Sequence, residues 1–241
     1  MTIPRIGTLL GVWAHPDDEA YLSSGLMRAV RRAGGQVVVL TATRGEHGTD
    51  DPVRWPPDRR ARHREQELRT SLRLAEVHEH RWLGYADGSL AGVPRGDAVD
   101  AVAAVLDDVR PDVVVTFGPD GMTGHEDHRT VSAWVTEAWQ LTGRVGDLWY
   151  ATLTPEFHDE WGDLNERVGL WFAGPPPVTE PSALAAQIRL SGVALVTKHL
   201  ALRAHGSQTR ALERLVGAET YRRWWATESF VSARSVATAV P

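Results

Sequence analysis

The feature that most constrains the fold of this chain is a repeated alternation between short, nearly uninterrupted apolar runs and longer amphipathic segments. Such runs predict strands that are buried on both faces, and the segments between them predict the helices that cover a parallel sheet. We therefore predict an α/β fold with a Rossmann-like, mostly parallel sheet flanked by helices. The five predicted strands cover residues 6–13, 36–43, 77–83, 112–117 and 148–153.

The regular pattern ends near residue 154. Helices are predicted between the strands, at 18–32, 58–75, 97–109 and 124–141, and a further long helix at 181–204. The prolines of the last third are typical of loop corners rather than of a linker. We predict a single domain over residues 1–241, with a core of about 5–153 and an irregular C-terminal extension of about 154–241 that caps the site.

Composition excludes several classes of protein. The 241 residues contain no Cys, which rules out a disulfide scaffold, a thiol nucleophile and any thiolate metal site. A net charge of −5 argues against a nucleic-acid partner. No apolar run approaches the ~18 residues of a membrane span, and the stretch at 6–14 is too short for a signal peptide. We expect a cytoplasmic protein without a membrane partner, and the sequence leaves open whether it is a homo-oligomer.

The segment HPDDE at residues 15–19 directly follows the first predicted strand. In an open parallel sheet, ligands bind beyond the carboxyl ends of the strands, so these side chains lie where a site is expected. Asp17 or Asp18 could instead simply cap the following helix. A helix cap needs only one acid, however. It needs neither the preceding His15 nor the rigid Pro16, so we favour a functional cluster.

A second polar cluster, GHEDH at residues 124–128, follows the fourth predicted strand. Its two histidines are three residues apart, so on a helix they share one face. Two His and Asp clusters at equivalent strand ends together indicate a metal site. Two histidines and one carboxylate, with positions left open for water, are typical of catalytic zinc. The remaining carboxylate and histidine suit a general base and an oxyanion donor.

These residues resemble the signatures of a known enzyme family. The segment at 15–19 resembles the AHPDDE motif of the LmbE-like (PIG-L) zinc-dependent N-deacetylases, and HEDH at 125–128 resembles their second motif, usually HPDH. Further segments similar to the family's pattern lie at 43–46, 64–68, 83–88 and 198–208. The resemblance implies a hydrolase that removes the N-acetyl group from an N-acetylglucosamine-type sugar or glycoconjugate, releasing acetate and a free amine.

The resemblance also implies roles for individual residues. His15, Asp18 and His128 would be the ligands of Zn²⁺, with Fe²⁺ left open in the same site. Asp17 would be the general base and later the acid that protonates the leaving amine. His125 would stabilise the tetrahedral intermediate in its protonated form, with Asp127 orienting its imidazole. The residues that match the sugar-binding side of the pocket are Glu46, Arg64 and Asp87.

Two positions depart from the family pattern. Glu126 stands where the second motif usually has Pro, which leaves the ligands intact but is expected to loosen the start of the helix. Thr123 stands where some sugar deacetylases of the family have a Tyr near the oxyanion. The departure at Thr123 weakens a close functional match with the mycothiol-pathway members.

Three alternatives stay open at this point. The spacing of His15 and Asp17, with a distant His, also fits the ligand triad of an Fe(II)-dependent oxygenase. Such enzymes typically use all-β folds, which the alternating pattern disfavours. A nucleotide-binding module without catalysis would need a G-x-G-x-x-G after the first strand, and none is present. A catalytically inactive sugar-binding relative is the third alternative, although every predicted ligand and base is present.

Overall fold

The computed structural model describes residues 5–49 and 51–237, and the strands within these residues form one sheet of seven. The order across the sheet is β3-β2-β1-β4-β5-β7-β6. The strands are β1 (Thr8–Trp13), β2 (Gln36–Thr43), β3 (Glu79–Tyr85), β4 (Val113–Phe117), β5 (Asp147–Thr152), β6 (Leu184–Arg189) and β7 (Thr227–Ser232). Strands β1 to β5 pair in parallel, whereas β7 runs antiparallel to both of its neighbours.

Helices pack on this sheet and extend beyond it. They are α1 (Asp18–Leu22), α2 (Ser24–Arg32), α3 (Pro57–Leu74), α4 (Arg95–Val109), α5 (Glu126–Leu141), α6 (Pro155–Arg167), α7 (Gly192–Ala204), α8 (Gly206–Val216), α9 (Ala218–Trp224) and α10 (Ala233–Ala237). Within the described residues, no helix has the length and apolar character needed to cross a membrane.

The topology fixes where a site can form. Strand β1 pairs with β2 on one side and with β4 on the other, so the chain reverses its direction of progress across the sheet between β1 and β4. Ligands bind at such a switch point, beyond the carboxyl ends of the strands. Both neighbouring strands are buried over nearly their whole length, which gives the loops that follow them a rigid base.

The predicted α/β fold is confirmed, and the core strands begin and end within about two residues of the predicted positions. The helix predicted over 18–32 differs, because it is broken at Ser23. The hydroxyl groups of Ser23 and Ser24 donate to the carbonyl groups of Glu19 and Ala20. The carboxylate of Glu228, from β7, then accepts the backbone N–H groups at the start of α2, which supports a separate helix there.

The last third of the chain is more regular than predicted. The helix predicted over 181–204 is wrong in its first half, because residues 184–189 form strand β6 and only Gly192–Ala204 are helical. The sequence analysis also missed β7, which joins β6 to β5. The extension therefore completes the same sheet as the core, while its loops and helices α8 and α9 reach over the strand ends.

Candidate active site

Three predicted ligands, His15, Asp18 and His128, meet at the switch point. His15 follows β1, Asp18 begins α1, and His128 lies in the first turn of α5, after β4. His15 Nδ1 is 3.3 Å from His128 Nε2. His128 Nε2 is 3.4 Å from Asp18 Oδ1, and His15 Nδ1 is 3.7 Å from Asp18 Oδ2. All three side chains are buried, so their donor atoms form one compact group.

This group fits a metal ion. Nitrogen and oxygen ligands that lie ~2.0–2.2 Å from one tetrahedral ion are ~3.3–3.6 Å from each other, which is close to the separations found. His128 Nδ1 is 3.0 Å from the carbonyl oxygen of Gly121, which keeps the proton on Nδ1 and the lone pair on Nε2. Burial also lowers the pKa of His128 well below its usual value, so the ring is neutral, as a ligand must be.

The orientation of His15 is set by two carboxylates behind it. Its Nε2 is 3.0 Å from Asp87 Oδ1 and 3.1 Å from Asp127 Oδ2. Burial alone would lower the pKa of His15, but hydrogen bonds to Asp127 and Asp87 and the charge of Asp18 raise it to about 10, so the ring is protonated without a metal and a bound cation would replace the proton on Nδ1. The same carboxylates hold a proton on Nε2, so Nδ1 faces Asp18 and His128. A carboxylate behind a histidine ligand fixes the ring and increases its basicity.

The expected contact between the Asp127 carboxylate and the His125 ring is not what the structure shows. The carboxylate accepts the backbone N–H groups of Gly88 and Leu90 and contacts His15. Only the backbone N–H of Asp127 reaches His125, donating to Nδ1 over 3.1 Å. Asp127 therefore orients the predicted ligand rather than the predicted oxyanion donor.

His125 lies at the N-terminus of α5 and lines the cavity in front of the metal-ligand group. Burial and the nearby His15 lower its pKa, contrary to the expectation that Asp127 keeps the ring protonated. Because Nδ1 accepts a hydrogen bond, the neutral ring carries its proton on Nε2. His125, His15 and Asp127 also come close enough to form a second candidate ligand group.

Asp17 lies at the N-terminus of α1, but its side chain does not cap the helix. The φ angle of Asp17 is 117°, a conformation that side-chain-bearing residues rarely adopt. The structure therefore argues against the helix-cap interpretation. Asp17 Oδ1 lies 3.2 Å from Arg64 Nη2, and the carboxylate lines the cavity. Burial raises the pKa of Asp17, although the charges of Arg64 and His205 oppose this, and a raised pKa suits a carboxylate that must accept and release a proton.

A buried network that the sequence analysis missed supports this strained backbone. Glu19 Oε2 accepts the N–H of Asp17 over 3.0 Å. Glu19 Oε1 is 2.8 Å from both the Ser71 hydroxyl, on α3, and His205 Nε2, between α7 and α8. His205 lowers the pKa of Glu19 despite complete burial. The position of His205 in a segment similar to the family's pattern is the one available signal in the sequence.

The predicted substrate residues have different surroundings. Arg64 and Asp87 line the cavity, and Arg64 also donates to the carbonyl groups of Pro16 and Gly45. Glu46 is not among the residues that line this cavity, and its Oε1 accepts the backbone N–H of Asp87. His47 is exposed, and it also lines the cavity and contacts Asp87 through its backbone N–H and its ring.

The two departures from the family pattern leave the site intact. Glu126 begins α5 as an exposed residue, and His125 caps the helix by accepting the N–H of Asp127. Thr123 lines the cavity with its hydroxyl 3.4 Å from His128 Nδ1, and its carbonyl group accepts the N–H of Phe172.

Comparisons with known proteins show what this chain resembles in sequence and in fold. The family model described as PIG-L, GlcNAc-PI de-N-acetylase, matches residues 10–139. A Kineococcus radiotolerans protein named 1D-myo-inositol 2-acetamido-2-deoxy-alpha-D-glucopyranoside deacetylase is 32% identical, covering 83% of this chain and 68% of its own. A Saccharomonospora viridis protein of the same name is 31% identical, covering 83% and 84%. The crystal structure of a conserved protein from Thermus thermophilus superposes with a TM-score of 0.66 at 24% identity, covering 93% and 94%.

Proposed function

The chain belongs to the PIG-L (LmbE-like) family of N-deacetylases, and on that premise we propose that it is a zinc-dependent hydrolase of N-acetylglucosamine-type glycoconjugates. One observation carries the proposal. The donor atoms of His15, Asp18 and His128 have the mutual separations of a tetrahedral metal site, and Asp17 lies beside them in the same cavity.

The proposed roles of the residues follow from their contacts. His15, Asp18 and His128 would hold Zn²⁺, which when bound supplies Lewis-acid activation of the water and the amide carbonyl. Asp17 accepts a proton from the attacking water as the water oxygen bonds to the carbonyl carbon. Asp17 then returns that proton to the nitrogen as the carbon–nitrogen bond breaks. Arg64 holds the Asp17 carboxylate in the cavity.

His125 is proposed to stabilise the oxyanion as a neutral donor. Its Nδ1 accepts the N–H of Asp127, so the proton on Nε2 is the one available to the developing negative charge. This replaces the protonated ring expected from the sequence. A positioned neutral donor is sufficient for such a role, because it is aimed before the charge develops.

The relatives suggest a substrate. Both curated relatives described above are named for a deacetylase of 1D-myo-inositol 2-acetamido-2-deoxy-alpha-D-glucopyranoside, and we propose this glycoside or a close analogue for this chain. The cavity of about 490 Å³ has Arg64, Asp87 and His47 on one side, which suits sugar hydroxyl groups. Because the core and extension share one sheet, we propose that both act as a single deacetylase domain.

The oxygenase triad read from the spacing of His15 and Asp17 does not match the ligand geometry. Among the described residues, the close donor groups contain Asp18 or Asp127 and not Asp17, and Asp17 instead pairs with Arg64. The metal itself, Zn²⁺ or Fe²⁺, is decided by elemental analysis rather than by the donor set.

The test measures acetate release from the inositol glycoside alongside the metal content of the purified protein. We expect stoichiometric Zn²⁺ and turnover. Asp17→Asn should keep the metal and lose kcat by about 10²–10⁴-fold, the usual contribution of a general base. His128→Ala should lose both metal and activity.

Two outcomes would overturn the proposal. One is a metal-loaded, folded protein that releases no acetate from any N-acetylglucosamine derivative, which would leave the inactive sugar-binding relative as the better interpretation if the protein still binds the sugar. The other is an Asp17→Asn variant with wild-type kcat, which would remove Asp17 from the role of general base.

A further inference from the structure

The cavity has two walls of different chemistry. On the side of β2 and β3, the lining side chains are polar, as described for His47, Arg64 and Asp87. On the side of β4 and β5, the lining beyond Thr123 and His125 is apolar and includes Phe117, Met122 and Leu153. Tyr21 and Leu22, on α1, and Trp225 share a second, small cavity with Met122 and Leu153 and complete this apolar wall. A pocket built only for a polyhydroxylated sugar and an acetyl group does not need this second wall.

Each wall begins at a predicted metal ligand. On the polar side, Asp87 Oδ1 lies 3.0 Å from His15 Nε2. On the apolar side, the Phe117 ring stacks on the His128 ring with a centroid separation of 4.1 Å and an interplanar angle of 11°. The sheet order places β3 and β5 on opposite sides of β1 and β4. A carbonyl group held at the metal-ligand group would therefore lie between a polar and an apolar wall.

The apolar residues of this wall also border the second, small cavity of about 20 Å³, which shares Tyr21, Leu22, Met122, Leu153 and Trp225 with the main cavity. The rest of the lining of the small cavity includes the polar residues Thr152, Thr227, Glu228 and Ser229, and its volume is that of about one water molecule. The space for a longer acyl chain therefore lies along the apolar wall within the main cavity of about 490 Å³, and Leu153 borders both cavities.

The connectivity of the substrate decides which group meets which wall. In an N-acyl amino sugar, the sugar and the acyl chain leave the amide in opposite directions. The sugar hydroxyl groups need hydrogen-bonding partners and are costly to bury against apolar side chains. With the sugar on the polar side, the acyl chain points along the apolar wall.

We propose that the apolar wall is an acyl subsite, and that the enzyme hydrolyses amino sugars with short straight N-acyl chains, such as butanoyl, better than N-acetyl sugars. This inference rests on the proposed deacylase function. The bonds that form and break are the same as in deacetylation. Water oxygen bonds to the carbonyl carbon, the carbon–nitrogen bond breaks, and Asp17 passes a proton from water to the amine. The products are a short-chain carboxylate and the free amino sugar.

The size of the preference follows from apolar burial. Each methylene removed from water contributes ~0.8 kcal/mol, a factor of about four in kcat/KM. The two additional methylenes of a butanoyl group should therefore increase kcat/KM by up to about 15-fold over acetyl. A closed acetyl pocket would produce the opposite trend, because one extra methylene would already clash.

The test uses the full-length, metal-loaded enzyme with N-acetyl-, N-butanoyl- and N-hexanoyl-D-glucosamine, and follows release of the free amine. We expect kcat/KM to rise from acetyl to butanoyl. A fall from acetyl to butanoyl would overturn the acyl subsite and leave the proposed deacetylase function standing. A complete absence of amine release from all three would contradict the acyl preference, and acetate release from the inositol glycoside in the same preparation would then show separately whether the deacetylase function stands.

A substitution at Leu153 tests where the acyl subsite lies. Leu153→Phe adds bulk where the two cavities meet, and its backbone carbonyl keeps its bond to the Thr179 N–H. It should reduce the butanoyl-to-acetyl ratio by roughly five-fold or more, since it closes the space that the extra methylenes would fill. The matched control is Leu215→Phe, because Leu215 is 71% exposed and lies outside the cavity, and its ratio should stay at the wild-type value. Leu22→Phe, at another residue of the same apolar wall, provides a second test should Leu153→Phe not fold. An unchanged ratio in a folded variant would contradict the proposal.

Discussion

Replacing Glu19 by Gln is expected to destabilise the protein strongly, because the carboxylate is the centre of a buried network. Glu19 is only 1% exposed. Its two oxygens accept three hydrogen bonds, from the Asp17 N–H, the Ser71 hydroxyl and His205 Nε2. A glutamine of the same shape has one oxygen, so its NH₂ group must face one of these donors.

The magnitude follows from what is lost. One hydrogen bond to a charged acceptor contributes about 1.5–3 kcal/mol, and a buried donor left without a partner costs about 1–3 kcal/mol more. Breaking a buried ion pair by removing one charge costs a similar ~3–5 kcal/mol. We expect Glu19→Gln to lower the free energy of unfolding by about 3–5 kcal/mol. Its kcat should also fall, because the Asp17 backbone loses the acceptor that holds its strained conformation.

The assay is urea unfolding of wild-type and variant proteins, with kcat measured where both are folded. The matched control is Glu219→Gln, the same substitution at a residue whose side chain is 67% exposed and pairs with Arg222. Surface pairs of this kind contribute ~0–1 kcal/mol. A Glu19→Gln loss no larger than that of Glu219→Gln would refute the reasoning that this network holds Asp17.

Three further predictions concern neighbouring groups. His125→Ala should lower kcat by about 10²–10³-fold, the usual cost of removing an oxyanion donor, with metal content unchanged in elemental analysis. Asp127→Asn should weaken metal affinity by about 10–100-fold in a chelator competition assay, and a loss of kcat alone would mean that the carboxylate acts on His125 after all. Burial lowers the pKa of His80 to about 4 from its ordinary 6.5. Between these pH values the unfolded state binds more protons than the folded state. The free energy of unfolding should therefore fall by up to ~3 kcal/mol as the pH drops from 6.5 to 4. His80→Gln should remove this part of the pH dependence, and identical pH profiles would contradict it.

The core of the fold could be predicted because its local and global signals agree. Strand β2 (Gln36–Thr43) is an apolar run buried on both faces, and such a run has few other stable environments. Strand β6 (Leu184–Arg189) carries an alanine-rich sequence that favours helix. Its pairing with β7, some forty residues later, outweighs that local preference. Antiparallel partners so far apart leave no mark in a short window of sequence.

The candidate site was likewise only partly predictable from the sequence. The meeting of the two clusters that contain His15, Asp18 and His128 could be predicted because both clusters follow strands and so lie at one edge of a parallel sheet, whereas the choice of these three as ligands came from the family resemblance. The contacts that orient them could not. Asp127 lies next to His128 in sequence but contacts His15, and Glu19 meets His205 across 186 positions. Such partners are set by how α5 and α7 pack on the strand ends, which periodicity does not encode.

The most direct test of the account is anomalous diffraction at the zinc edge from crystals of the active, metal-loaded protein. We expect one peak ~2.0–2.2 Å from His15 Nδ1, the Asp18 carboxylate and His128 Nε2, with the Asp17 carboxylate nearby but not bound. A peak held instead by His15, His125 and Asp127, or no peak at the switch point in protein that hydrolyses its substrate, would contradict the proposed metal site.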